Sequence, residues 1–127
     1  MAGKGRSRGP HDYPRTARLN ELVREIVADE LERLDDERLD LVTVVAVEVE
    51  PDLRHATVFV TSPGGEESDE EVLEALGEVR RRLQGAIGRQ ARLKRVPELA
   101  FRPDEVSRSA ARIEDILRRV RPDDDAS

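Results

Sequence analysis

Apolar residues recur at three- and four-residue steps through the most highly charged part of the chain. They are Val72, Leu76, Val79, Leu83 and Ile87. This spacing places them on one face of an α-helix, and it predicts a helix over about residues 70–91. Gly77, Gly85 and Gly88 weaken this helix, so we expect it to be kinked.

The charges of this region are separated along the chain. Residues 80–95, RRRLQGAIGRQARLKR, contain seven Arg or Lys and no acid, whereas residues 62–79 contain seven acids and no base. The net charge of −6 hides this separation, and binding responds to the local field rather than to the mean. At about 100° per residue, the arginines project opposite the apolar stripe, around the bare backbone of Gly85.

Such a face suits the phosphate backbone of a nucleic acid, because guanidinium groups bind phosphate in a bidentate way. The alternative is a solvated face that only keeps the protein soluble. The absence of acids over sixteen positions favours binding. The candidate RNA-binding residues are Arg80, Arg81, Arg82, Gly85, Arg89, Arg92, Lys94 and Arg95, with Arg15 and Arg18 from the helix predicted over residues 15–34.

The remaining elements follow from periodicity and turn residues. Helical spacing covers residues 15–34 and 107–120, with Ser107 or Ser109 as N-cap candidates and Asp104 as a structural cap. Alternating β-branched residues predict strands over 41–50 and 54–61, and a third strand covers 96–102. Three strands with helices on one face make a two-layer α+β domain.

Composition limits the class of protein. The chain has no cysteine, so disulfides, thiol nucleophiles and Cys-based metal sites are excluded. It has no apolar run long enough to span a bilayer, and its polar start has no signal-peptide core. We expect a cytoplasmic protein with no membrane partner. The predicted division is a flexible basic arm (1–12), a domain (13–121) and an acidic tail (122–127).

Catalytic and metal sites are not predicted. The two histidines, His11 and His55, have no metal-ligand partners at suitable sequence spacing. The paired carboxylates fall in loops or at a helix start, where they favour the helix dipole. Gly64-Gly65 is not followed by the Lys-Ser/Thr of a phosphate loop. We therefore expect neither an enzyme nor a cofactor.

Three segments resemble a known family. They are TVVAVEVEPDLRHATVFVT (Thr43 to Thr61), RLKRVPELAFRPDE (Arg92 to Glu105) and the Arg-Ile pair at 112–113. Together with the element order α-β-β-α-kink-α-β plus a C-terminal helix, they resemble bacterial ribosome-binding factor A, which has a type II KH-like fold. The resemblance covers roughly residues 15–120.

The resemblance implies a ribosome biogenesis factor. Members of that family bind the immature small (30S) subunit and its 16S rRNA, assist late maturation and 5′-end processing, and matter most in the cold. An assembly GTPase helps to release them, and a monomer is expected. The alternative, from a different class, is a protein–protein adaptor that docks the Arg-rich face on an acidic partner.

The kink has three candidate positions. The family has an Ala-x-Gly kink between its central helices, and counting back from Val96 without gaps places it on Val79-Arg80-Arg81. A literal Ala-x-Gly occurs one turn earlier, at Ala75-Leu76-Gly77. A Gly-x-x-Gly occurs at Gly85-Ala86-Ile87-Gly88, but it would leave only about two turns for the second helix.

Overall fold

The computed structural model describes residues 12–120, with side chains from Ala17 onward. The predicted arm lies outside the described residues except for its last residue, Asp12, which begins a helix; the predicted tail and His11 also lie outside them. The helices and strands are α1 Asp12–Glu32, β1 Thr43–Val49, β2 His55–Thr61, α2 Asp69–Glu78, α3 Arg80–Ala91, β3 Glu98–Pro103 and α4 Glu105–Val120. Short 3₁₀ turns at Glu37–Leu39 and Gly65–Ser68 complete the element order.

The three strands form one sheet in the order β1-β2-β3. A short turn joins β1 to β2, so these strands pair antiparallel. The two helices α2 and α3 carry the chain back across the sheet, so β3 pairs parallel to β2. A register shift between Val44 and Ala46 breaks the predicted alternation of β1, which is why Val44 and Val47 are both buried.

The core lies between the sheet and the three helices α1, α2 and α3. These helices pack on the same face of the sheet, and their apolar stripes meet the inward side chains of the strands. The stripe predicted for 72–87 is buried as expected, except that Val79 is only partly buried. The α+β class and the type II KH-like arrangement are therefore confirmed.

The helix break between α2 and α3 lies at Val79. Its backbone has φ −103° and ψ 9°, outside the helical range. This is the position that the gap-free count indicates. The strings Ala75-Leu76-Gly77 and Gly85-Ala86-Ile87-Gly88 lie inside α2 and α3 respectively. The glycines therefore do not mark the break.

The terminal helix α4 stands outside the core, and none of its residues is buried. It begins at Glu105, so the prediction that Ser107 or Ser109 is its N-cap is wrong; the Asp104 carboxylate instead accepts the Ser107 hydroxyl. Arg108 attaches it by donating to both carboxylate oxygens of Asp69, at 3.0 and 2.9 Å. Its apolar residues, Val106, Ile113, Ile116, Leu117 and Val120, remain exposed.

Candidate nucleic-acid interface

Helices α1 and α3 pack against each other in opposite directions. Near the end of α1, Glu30 accepts a hydrogen bond from the Arg82 Nε at 2.7 Å, close to the start of α3. At the other end, Leu19 of α1 and Leu93, just after α3, line the same pocket. The start of α1 therefore lies beside the end of α3, and this places Arg18 in the same region as the last basic residues of α3.

Glu30 is a buried carboxylate below the basic face, only 4% exposed. The hydrogen bond from Arg82 holds the pKa of Glu30 below its usual value of 4.5, and the nearby charges of Arg82, Arg33 and Arg89 act in the same direction. A buried charge is tolerated only when it is paired. Through this hydrogen bond, Glu30 links Arg82 of the basic face to the buried side of α1.

Glu30→Gln should reduce the acid sensitivity of the fold. Because the folded-state pKa of Glu30 is lowered, its ionised form stabilises the protein above the unfolded value near 4.5. That contribution is lost as pH falls through the folded pKa. Thermal melts from pH 7 down to pH 3 should show a smaller fall in Tm for Glu30→Gln than for the unmodified protein. Parallel curves would mean that the pair makes no pH-dependent contribution.

The cations of the described side chains divide into two groups. One group pairs with carboxylates: Arg24, Arg33, Arg38, Arg82, Arg108, Arg112, Arg118 and Arg119. The other group has no carboxylate of residues 17–120 within 4.0 Å: Arg18, Arg54, Arg80, Arg81, Arg89, Arg92, Lys94, Arg95 and Arg102. With the exception of Arg82, every predicted binding cation with a described side chain falls in the second group.

The predicted residues of α3 spread over three sides of the helix. Arg81 and Gly85 are exposed on the ridge opposite the core, and a Cβ at Gly85 would meet only the guanidinium of Arg89, at 3.4 Å. Arg82 and Arg89 are also exposed and flank this ridge on the side of α1. These four positions form one continuous surface.

Arg80 lies on the other flank, where it is half-buried. Its guanidinium stands 5.8 Å from the centroid of the Phe101 ring on β3, within the range of a cation–π contact. Its Nε is buried and finds no hydrogen-bond partner among the described residues. The structure therefore places Arg80 beside the sheet, apart from the ridge that carries Arg81.

The loop after α3 continues the basic surface. Arg92 ends the helix in the left-handed conformation, with φ 56°, and Lys94 and Arg95 follow it with exposed side chains. Arg54, in the turn between β1 and β2, lines the same pocket as Lys94 and Arg95. Arg54 was not among the predicted residues, because only the pairing of the strands brings its turn to the end of α3.

Two predicted residues come from α1. Arg18 is exposed, beside the end of α3. Arg15 lies in the first turns of α1, but its side chain lies outside the described residues.

The expectation that His55 has no ligand partners needs correction. The turn brings ligand atoms of Glu50, Asp52 and His55 within 4.8 Å of one another, all on exposed residues. The Nδ1 of His55 lies 3.7 Å from the Asp52 carboxylate. The three residues lie within six positions of one another, and their ligand atoms meet because the turn folds this segment back on itself. Exposed groups of this kind are common without a metal, and no site is assigned to them.

Comparison with known proteins decides the family. The family profile described as Ribosome-binding factor A matches residues 15–117. The chain belongs to this family. Ribosome-binding factor A of Rubrobacter xylanophilus is 44% identical over 111 residues, covering 87% of this chain and 90% of that protein. Ribosome-binding factor A of Acidothermus cellulolyticus is 39% identical over 115 residues, covering 90% and 77% respectively.

Solved structures of ribosome-binding factor A share the fold. The crystal structure of the Thermus thermophilus protein is 36% identical with a TM-score of 0.64, covering 69% of this chain and 94% of that one. A homology model of the Thermus thermophilus factor, fitted into a cryo-electron-microscopy map of its 30S complex, is 37% identical with a TM-score of 0.60. It covers 72% of this chain and 97% of that one. The name of the family describes binding to the ribosome and not a reaction.

Within residues 12–120, no helix combines the length and the apolar character that crossing a bilayer requires.

Proposed function

We propose that this protein binds the immature small ribosomal subunit through its 16S rRNA and assists late maturation, including processing of the 5′ end of that rRNA. The observation that carries the proposal is a basic surface whose cations have no carboxylate partner among residues 17–120: Arg18, Arg54, Arg81, Arg89, Arg92, Lys94 and Arg95. The other cations of the described side chains are mostly engaged with carboxylates. The comparison with a 30S complex supports the same partner.

The mode of binding follows from the side chains available. Guanidinium and ammonium groups contact phosphate oxygens, which position a protein on RNA without reading its sequence. The chain has only three aromatic residues, Tyr13, Phe59 and Phe101, so stacking of bases on aromatic rings makes little contribution. The protein therefore recognises the shape and backbone of a folded rRNA element. The acidic remainder of the chain limits binding to RNA in general.

The proposal extends to how the factor acts. It works in the cytoplasm as a monomer without catalytic chemistry of its own, and an assembly GTPase promotes its release once the subunit has matured. The need for the factor is greatest in the cold, because misfolded rRNA helices rearrange slowly there.

Sedimentation with small subunits tests the proposal. We expect the protein to sediment with immature subunits in preference to mature ones, and binding to fall log-linearly with salt. Each released phosphate contact should contribute about 0.7–0.9 to the slope of log K against log salt. A folded protein that sediments with neither particle would overturn the proposal. Retention by an acidic protein after nuclease treatment would instead indicate the adaptor.

A further inference from the structure

A shallow pocket lies at the end of the domain where α1 begins, α3 ends and the β1–β2 turn projects. Its volume is about 240 Å³, below the range typical of pockets for larger ligands. Four apolar residues line it: Leu19, Leu53, Leu93 and Pro97. Polar side chains stand at its rim: Asp52, Arg54, Lys94 and Arg95. It is distant from the α2–α3 break at Val79, since that break is at the opposite end of α3.

Leu53 is held over this pocket in an unusual conformation. Its φ of 60° is left-handed, which a branched side chain adopts only when the surrounding structure imposes it. Two hydrogen bonds do so: the Leu53 N–H donates to the Glu50 carbonyl at 2.8 Å, and the Arg54 N–H donates to the Asp52 carboxylate at 2.8 Å. The turn therefore presents an apolar side chain, 49% exposed, between charged neighbours.

We propose that this pocket binds one unpaired nucleotide of single-stranded RNA, with its base against Leu53 and Leu93 and its flanking phosphates on Arg54, Lys94 and Arg95. This rests on the proposed function and adds a second type of contact to it. The α3 face contacts the backbone of structured rRNA, whereas the pocket receives a single base that is not in a helix. The small volume, about 240 Å³, limits the proposal to one base, with its flanking phosphates outside the pocket.

Charge argues for a nucleotide over an acidic peptide. The three rim cations have no carboxylate partner among residues 17–120, so they are available for phosphate. Asp52 stands beside them and remains ionised, because the N–H of Arg54 lowers its pKa. The Asp52 carboxylate can accept a hydrogen bond from a base N–H or a ribose 2′-hydroxyl, whereas the ionised side chains of an acidic peptide have no such donor.

A matched pair of leucine variants tests the pocket. Leu53→Ala truncates the leucine held over the pocket, whereas Leu41→Ala truncates another exposed leucine, 71% exposed, that lies outside this pocket. The probe is a fluorescent single-stranded RNA of about ten nucleotides, with a duplex of the same sequence as comparison. We expect Leu53→Ala to weaken single-strand binding about fivefold without changing its salt slope. Duplex binding, and both affinities of Leu41→Ala, should stay unchanged.

Cross-linking locates the base directly. A 4-thiouridine in the same single strand should cross-link to a peptide that contains Leu53 or residues 93–95. Equal single-strand affinities for Leu53→Ala and Leu41→Ala would overturn the pocket. Polyglutamate serves as the acidic-peptide probe, and a Leu53→Ala variant that loses affinity for polyglutamate but not for single-stranded RNA would also overturn it. If the unmodified protein still sediments with immature subunits in that case, only the pocket fails. Loss of sedimentation by the unmodified protein is a failure of the proposed function.

Discussion

Arg81→Glu combined with Arg89→Glu should abolish binding to immature small subunits while the protein remains folded. Both side chains are exposed, and neither has a carboxylate partner among the described side chains. On the proposed interface, each substitution would remove a phosphate ligand and place a negative charge against the RNA backbone. Two reversals on one helix face should lower the affinity by at least about 100-fold at moderate salt. Sedimentation at two salt concentrations measures the loss.

The control has the same change of charge elsewhere. Arg118→Glu with Arg119→Glu alters two exposed arginines near the end of α4, where both pair with Asp115. If net charge alone governs binding, the two double variants should lose affinity equally. We expect the α4 variant to retain most of its binding. Undiminished binding by a folded Arg81/Arg89 variant would remove α3 from the interface.

The folded state of the double variant needs its own measurement, because Arg89 is near the buried Glu30. Arg89 contributes to lowering the pKa of Glu30, so a glutamate at position 89 places a like charge beside it. The hydrogen bond from Arg82 to Glu30 remains, at 2.7 Å. We therefore expect a modest fall in Tm with an unchanged circular dichroism spectrum. The single variant Arg81→Glu, which has no such neighbour, separates the effect on binding from the effect on stability.

The periodicity of the sequence was sufficient to predict most of the fold. Apolar residues at helical spacing indicated the helices. The resemblance to ribosome-binding factor A supplied the gap-free count, which gave Val79-Arg80-Arg81 as one of three candidate breaks; the structure has the break at Val79. The glycines suggested other breaks, but Gly85 and Gly88 lie inside α3. A single glycine lowers helix stability only slightly, and the packing of Leu83 and Ile87 on either side outweighs that cost.

The site could be predicted only in part, because its residues come from distant parts of the chain. The spacing on α3 indicated that Arg81 and Arg89 share a side. It could not indicate that Arg82 would pair with Glu30, which is 52 residues away in sequence. Nor could it bring Arg54 to the end of α3, since that requires the β1–β2 pairing. Local patterns thus predict faces of elements, whereas contacts between elements depend on the tertiary structure.

Leu83→Ala should cause a large loss of stability. Leu83 is fully buried, on the face opposite Arg81. Truncating such a leucine typically costs about 2–5 kcal/mol of unfolding free energy, a large share of the roughly 5–15 kcal/mol of a small domain. In a domain of this size, Tm should fall by roughly 10–25 °C. Thermal unfolding followed by far-ultraviolet circular dichroism, which is sensitive to helix content, provides the measurement.

Leu117→Ala is the matched control, because Leu117 lies on α4 with 48% exposure and outside the core. Its truncation should change the unfolding free energy by less than about 0.5 kcal/mol. A similar loss for both variants would mean that α4 packs on the domain in solution, contrary to the structure. Leu83→Ala should also retain RNA affinity in its folded fraction, because it removes no cation. A loss of affinity beyond the unfolded fraction would mean that the arginine face depends on exact packing beneath it.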